Sequence, residues 1–266
     1  PEIGHASVAV ACVAVAVFGR WMSGRMPALT ATHPNEAINW NPITETMRNL
    51  RLARANAKVF QTLLGISWMW FFGAVFLSQF PSFAKEVLHG DAQVASLLLV
   101  LFSVGIGAGS LLCEYLSRGR VEMGLSPLGA IGMTLFAVDL YVAASNLPVS
   151  ELMGVSAFVS QSAHWRIMAD LLLLSLFTGI YSVPMYALIQ IESKAHEVAR
   201  IIAANNIINA IFMIASSLIA GAMLSAGMSI PDIFLWTGVA NAAVTLAIFM
   251  AEPSYLHRFA AWLRGV

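Results

Sequence analysis

The sequence predicts an all-α integral membrane protein, a helical bundle of about seven transmembrane helices, and three observations carry that reading. Hydrophobic residues make up 59% of the 266 and charged residues only 11%, with a mean hydropathy of +0.77; soluble domains carry roughly 25% charged residues. Seven apolar runs, near 3–20, 58–80, 93–116, 126–146, 167–190, 201–224 and 230–250, each approach the ~20 residues with which a helix crosses ~30 Å of hydrocarbon. The Lys and Arg residues, finally, fall almost entirely into alternate connections. Helices are required because lipid offers no partner to a free backbone N–H or C=O, and the runs lack the two-residue alternation of barrel strands.

The first run opens on Pro1 with no initiator methionine, no basic stretch before it and no small-residue cleavage pattern, so residues 1–20 read as a transmembrane helix of a longer chain and not as a signal peptide. The loop 21–57 is basic. Within it "NPITETMRNLRLARANAK" places Pro42 at a helix start and Arg48, Arg51, Arg54 and Lys58 mostly on one side, as in a cationic helix lying on anionic lipid. The second run carries "GISWMWFFGAVF" (65–76), which sets Trp68, Trp70, Phe71 and Phe72 at mid-depth, away from the interfacial belts that tryptophan favours. They read either as packing or as an apolar wall for an acyl chain, with Trp68 a cavity candidate.

In the third run, Gly105 and Gly109 have the four-residue spacing that lets helix backbones touch. The fourth holds Asp139, an intramembrane acid without an obvious local partner, which could receive a substrate amine, relay a proton or bond another helix. Asp170 in the fifth run follows Arg166 by one turn, which favours a local ion pair. Pro184 should kink the same helix near Tyr181 and Tyr186, and Gln190 could meet Asn205 across the turn at 192–200. In the sixth run, Asn205 and Asn209 share a helix face and Asn206 lies about 100° away. All three are cavity candidates, with helix-to-helix hydrogen bonding the plainer alternative. Residues 251–266 form an amphipathic tail, Leu256, Phe259, Trp262 and Leu263 set against Arg258 and Arg264. Cys12 and Cys113 fall in apolar runs and read as buried hydrophobes.

Arg20, Arg25, Arg48, Arg51, Arg54, Lys58, Arg118, Arg120, Lys194, Arg200, Arg258 and Arg264 lie on one side of the predicted spans, and only Lys85 and Arg166 on the other. The positive-inside rule then puts the 21–57 loop and the C-terminus in the cytoplasm and Pro1 outside. One span, a long basic loop and six closely connected spans (58–250) is the pattern left by cutting a twelve-helix transporter before its sixth helix. In such folds each half holds two inverted three-helix repeats, with substrate near mid-bilayer between the halves.

The stretches "NPITETMRNLRLARANAKVFQTLLGISWMWFFGAVFLSQFPSFAKEVLHG" (41–90), "LFSVGIGAGSLLCEYLSRGRVEMGLSPLGAIG" (101–132) and "GIYSVPMYALIQIESKAHEVARIIAANNIINAIFM" (179–213) resemble the lysophospholipid-transporter branch of the major facilitator superfamily. They are similar to the form fused to an acyl-glycerophosphoethanolamine acyltransferase and an acyl-carrier-protein synthetase. The resemblance implies movement of lysophospholipid, chiefly lysophosphatidylethanolamine, across a bacterial inner membrane toward the cytoplasmic side for re-acylation. It also implies a partner N-terminal transporter half and acyltransferase domains elsewhere in the full-length protein. The superfamily's loop motif is present in part, as Gly109, Arg118, Gly119 and Arg120, with Cys113 where an acid is expected, so Arg118 and Arg120 are candidates for packing or gating.

No Gly-rich phosphate loop with Lys, zinc-type Cys/His spacing or nucleophile elbow occurs, and the nearest approach to an acyltransferase His/Asp pair, His164 and Asp170, has the wrong spacing. The expected function is therefore a non-enzymatic transporter half with no cofactor and no nucleic-acid partner. The alternatives are a general superfamily carrier of small amphiphiles, proton-coupled through Asp139, and a non-transporting anchor for fused acyltransferase domains.

Overall fold

A computed structural model describes residues 2–26, 39–145, 147 and 151–265. Pro1, the central part of the predicted 21–57 loop (27–38), Asn146, residues 148–150 and Val266 lie outside the described residues. The described residues are predominantly helical, with one isolated backbone bridge and no strand. All seven predicted spans are helices long and apolar enough to cross a membrane. The chain is an all-α membrane helical bundle.

The chain divides into two units, residues 1–40 and 41–266. The first contains α1 (Glu2–Ser23). Its described side chains are exposed, Cys12 included, so this cysteine is not the buried hydrophobe expected from its apolar run. At its end Arg25 stacks its guanidinium over Trp21, 3.8 Å from the ring centroid.

The second unit contains α2 (Pro42–Arg54), α3 (Ala57–Ser82, continued by a π-helical turn Phe83–Val87), α4 (Ala92–Ser117), α5 (Leu125–Ser145), α6 (Val155–Ser160), α7 (Ser162–Glu192), α8 (Val198–Ser225), α9 (Ile230–Ala251) and α10 (Ser254–Leu263). Local chemistry starts these helices: Asn41, Asn56 and Asp91 each accept two backbone N–H groups of the first turn, and Ser229 with Asp232 forms a capping box ahead of Pro231. Lys58 belongs to α3 and not to the cationic helix; its Nζ meets Glu192 at 2.7 Å, tying the start of α3 to the end of α7. The second and fifth spans, counting the π turn, run to 31 residues, longer than their apolar cores, because both helices continue into the polar interface. α7 passes through Pro184 without interruption.

The packing has an internal symmetry. α3 packs on α8 and α9, α7 packs on α4 and α5, and α3–α7 and α5–α9 close the bundle. Exchanging α3, α4 and α5 for α7, α8 and α9 maps this set of pairings onto itself. Successive spans reverse direction, so the two triplets are inverted. α3 and α7 are the central members, and α4 and α8 are the least buried of the six spans.

The contact between α4 and α7 is made by backbone. A Cβ on Gly105 would collide with Ser175 Oγ and lie 2.6 Å from the Leu172 carbonyl, while one on Gly109 would land on the Leu176 carbonyl. The reciprocal Gly179 of α7 has the Ile106 carbonyl 2.5 Å from its Cβ position. Without a hydrophobic drive between helices in lipid, this close approach gives the pair its dispersion contact.

The two terminal amphipathic helices sit at the cationic end. α2 packs on α8 and α3; α10 packs on α5 and α9. α10 is pinned by Tyr255, fully buried, whose hydroxyl lies 2.9 Å from Thr62 Oγ1. At the opposite end, Asp91 N and Met153 N exchange backbone hydrogen bonds with the Met153 and His89 carbonyls, joining the loop after α3 to that before α6.

Two outcomes follow from this packing. Gly105→Leu or Gly109→Leu forces α4 from α7 and costs about 1–3 kcal/mol, seen as a lower melting temperature in detergent, whereas Gly107→Leu, whose Cβ meets nothing within 4 Å, is tolerated. Burial pushes the Tyr255 phenol from its ordinary 10.0 up to about 12. Because the folded phenol resists ionisation, its contribution is complete below pH ~10 and is lost as pH rises toward about 12, roughly 2–3 kcal/mol in all. Alkaline release of α10, followed by Trp262 fluorescence, shows that phase, and Tyr255→Phe removes it.

Candidate functional site

Among the described residues, three polar groupings within the spans stand out, each built by a different set of helices. The first joins α3, α7 and α8. Asn205 and Asn209 are 3% and 7% exposed and face α3, where Asn209 meets Ser67 Oγ at 2.7 Å. With its amide nitrogen turned to Ser67, Asn209 also donates to the Asn205 carbonyl at 3.2 Å and accepts from Asn205 Nδ2 at 3.0 Å and Trp70 Nε1 at 3.2 Å. The Trp70 indole shares its N–H with Tyr186 Oη of α7, 2.9 Å away. Asn209 is the twelfth residue of α8, about 17 Å along the helix, and so stands near mid-membrane. Trp70 is 37% exposed, so the cluster reaches the surface of the bundle. Asn205 Oδ1 is buried without a hydrogen-bond partner among the described residues.

The second grouping lies on the other side of α3. Trp68 is two residues from Trp70, hence about 200° around the helix, and points to α9, where its Nε1 donates to Asn241 Oδ1 at 2.9 Å. Asn241, fully buried, donates in turn to the Ala130 carbonyl and Thr134 Oγ1 of α5, both at 3.0 Å. Trp68 stacks on Phe71 with ring centroids 4.8 Å apart, and both line an apolar groove of about 500 Å³ between α3, α8 and α9.

The third is at the end away from the cations. Arg166 of α7 reaches across to α5 and holds both carboxylate oxygens of Asp139, Nε to Oδ2 at 3.1 Å and Nη2 to Oδ1 at 2.5 Å. Asp170, one turn along α7 from Arg166, is buried and leaves its Oδ2 without a hydrogen-bond partner among the described residues. His164, also buried, stacks on Phe158 and places Nδ1 2.9 Å from the Phe158 carbonyl.

The structure rearranges several expectations. Asn205 and Asn209 come together, but Asn206 is exposed on the far side of α8, as the 100° offset requires. Gln190 does not meet Asn205: it is exposed, and its amide turns back to the Tyr186 carbonyl of its own helix at 3.5 Å, because α7 and α8 scarcely touch beyond their connection. Trp68 does not join the asparagine cluster. Asp139 has a strong partner after all, and the ion pair of Arg166 is with Asp139, not with Asp170 one turn away. An arginine can extend toward either acid; the α5–α7 packing decides which is in reach. Asn241 was not singled out, although an amide inside an apolar run was the same signal that marked residues 205–209. Arg118 and Arg120 flank the end of α4, Gly105 and Gly109 lie in the α4–α7 contact, and Pro184 is buried within α7.

No protein-family model, curated protein or solved structure matches the chain. The functional reading therefore rests on the arrangement of these side chains. Of the three groupings, the Trp70–Tyr186–Asn205–Asn209 cluster is the one that combines mid-membrane depth, surface access and an unmet buried acceptor, features that mark functional positions.

The Asn241 grouping, by contrast, is fully satisfied and enclosed. Asn241→Leu strands the Trp68 indole N–H in the core and destabilises the bundle by about 1–3 kcal/mol, while Asn206→Leu on the exposed face changes stability by about 0.5 kcal/mol or less. Reversible unfolding in mixed micelles, followed by tryptophan emission, measures both.

Proposed function

We propose that residues 41–266 form one half of a lysophospholipid transporter of the major facilitator type, moving lysophosphatidylethanolamine-like substrates toward the cytoplasmic side of a bacterial inner membrane for re-acylation. The observation that carries this reading is the polar cluster of Trp70, Tyr186, Asn205 and Asn209. It is built on the two central helices and on α8 and opens at mid-membrane beside the least buried spans. In this reading the opening is one wall of a cavity, and a second six-helix half supplies the other.

The inverted pairing of α3–α5 with α7–α9 supports a two-repeat half. A lysophospholipid has an ammonium or hydroxyl-bearing headgroup and a single tail. Asn205 Oδ1 is an acceptor for the headgroup donor, Trp70 and Tyr186 present aromatic faces to the ammonium, and the exposed apolar faces of α4 and α8 accommodate the tail. No Lys or Arg lies deep in the six spans, so the phosphate is bound by the other half or stays hydrated. The gathering of ten basic residues of this unit at one end, against Lys85 and Arg166 at the other, supports a cytoplasmic C-terminus. Asp139 is held by Arg166, which weakens its candidacy as a lone proton carrier and leaves it a structural tie in this reading.

Uptake of tail-labelled lysophosphatidylethanolamine by membranes containing the full-length protein tests the proposal. Asn205→Leu, which removes the headgroup acceptor, and Tyr186→Leu, which removes the aromatic face, each lower the initial rate by roughly 10-fold, about 1.4 kcal/mol and the scale of one such contact, and leave folded yield unchanged. In the same membranes a cysteine at Ser117, in a background without Cys12 and Cys113, reacts from the inner face only. Wild-type membranes that take up no lysolipid, or variants that transport normally, defeat the assignment.

A further inference from the structure

At the cationic end, remote from the mid-membrane cluster, the end of α4 and the amphipathic α10 enclose a cavity of about 650 Å³. Its walls are charged. Arg118 and Arg120 line it from the α4–α5 connection, Arg258 and Trp262 from α10, and Glu122 lies between them. The walls are held in place by close contacts. Trp262 Nε1 donates to the Leu116 carbonyl at 3.4 Å, and the α10 backbone at Arg258–Phe259 passes so near Gly124 that a Cβ there would sit 2.7 Å from Phe259 N.

The charges do not cancel. Glu122 is fully engaged: Arg258 Nε and Nη2 donate to its two oxygens at 3.2 and 2.8 Å, and Gly124 N adds a third bond at 3.1 Å. Arg118 and Arg120 face the same space with no carboxylate against them among the described residues. Arg118 is, in addition, held at φ 52°, in the left-handed region that non-glycine residues rarely adopt, followed by Gly119 at φ 70°. Cations are favoured at a helix C-terminus in any case, and a left-handed residue is a common helix ending, but neither preference requires a cavity or a second arginine. Two guanidinium forks on one rim are suited to a tetrahedral oxyanion. The rim is also interfacial, with Tyr115 and Trp262 at the level where aromatic side chains meet headgroups and Leu111 and Leu112 exposed one turn deeper.

We propose that this cavity is a phosphate-binding site, with Arg118 and Arg120 as its ligands, filled by the phosphate of an anionic phospholipid headgroup or by free phosphate. The site is separate from the transport reading and stands without it. A zwitterionic headgroup is disfavoured because its ammonium would find only Glu122, already saturated by Arg258 and Gly124.

The test is native mass spectrometry, with melting temperature in parallel, on the full chain in neutral detergent, probed with phosphatidylglycerol, phosphatidylethanolamine and inorganic phosphate. Wild type retains phosphatidylglycerol over phosphatidylethanolamine, and Arg118→Gln/Arg120→Gln weakens that binding by roughly 5-fold for each arginine removed. Glu122→Gln strengthens it, because Arg258 is freed while the amide oxygen still accepts from Gly124 N. Arg118→Gly separates ligand from structural roles: the relaxed backbone raises the melting temperature while phosphate affinity falls. Displacement of phosphatidylglycerol by millimolar inorganic phosphate identifies free phosphate as the source, and retention identifies the lipid; both support the site. Equal retention of the two lipids by wild type, or unchanged phosphatidylglycerol binding in a double variant with a wild-type melting temperature, overturns it.

Discussion

Hydrocarbon accepts and donates no hydrogen bonds, and that constraint organises this molecule more than any single contact. It makes the spans helical, since only a helix satisfies its own backbone. It also forces each polar side chain within a span either back onto its own helix or across to another. Ser103, Ser110, Thr178 and Thr237 take the first course, each bonding a carbonyl one turn earlier. Ser67, Asn209, Asn241 and Asp139 take the second, and those few bonds set which helices are neighbours. Individually such bonds contribute only ~0.6 kcal/mol on average in membranes. Their importance is in selecting one arrangement of helices whose apolar surfaces would otherwise pack in many ways.

Affinity between the helices comes from elsewhere. Apolar side chains gain little by leaving lipid for another helix, so close packing must supply the attraction, and the glycines between α4 and α7 allow the backbones to meet. The central α3 also makes a run of aromatic contacts with its neighbours, such as Phe76 stacked on Phe234 of α9 with centroids 4.3 Å apart. Dispersion holds the pairs while polar bonds fix their identity. The inverted symmetry follows from the same division, because each central helix is flanked by two partners in equivalent positions.

The two ends of the bundle are treated differently. At the end poor in cations, Arg166 crosses from α7 to Asp139 of α5, and backbone bonds between the loops at 89–91 and at Met153 close the surface. At the cationic end, α10 is anchored by a buried tyrosine and clamped over Gly124, leaving Arg118 and Arg120 on its rim with no carboxylate against them among the described residues.

The sequence was sufficient for the solvent, the number and positions of the spans, and the side on which the basic residues gather, because each depends on composition and on distance along a helix. The 100° offset of Asn206 from Asn205 and the four-residue spacing of Gly105 and Gly109 were legible for the same reason. Partner choice was not. Whether Arg166 takes Asp170 or Asp139, whether Gln190 reaches Asn205, which residues of α3 meet Asn209, and which amide receives the Trp68 indole depend on which helices lie side by side. Those neighbours are far apart in sequence, and only the tertiary structure brings them within the 3 Å over which a hydrogen bond acts.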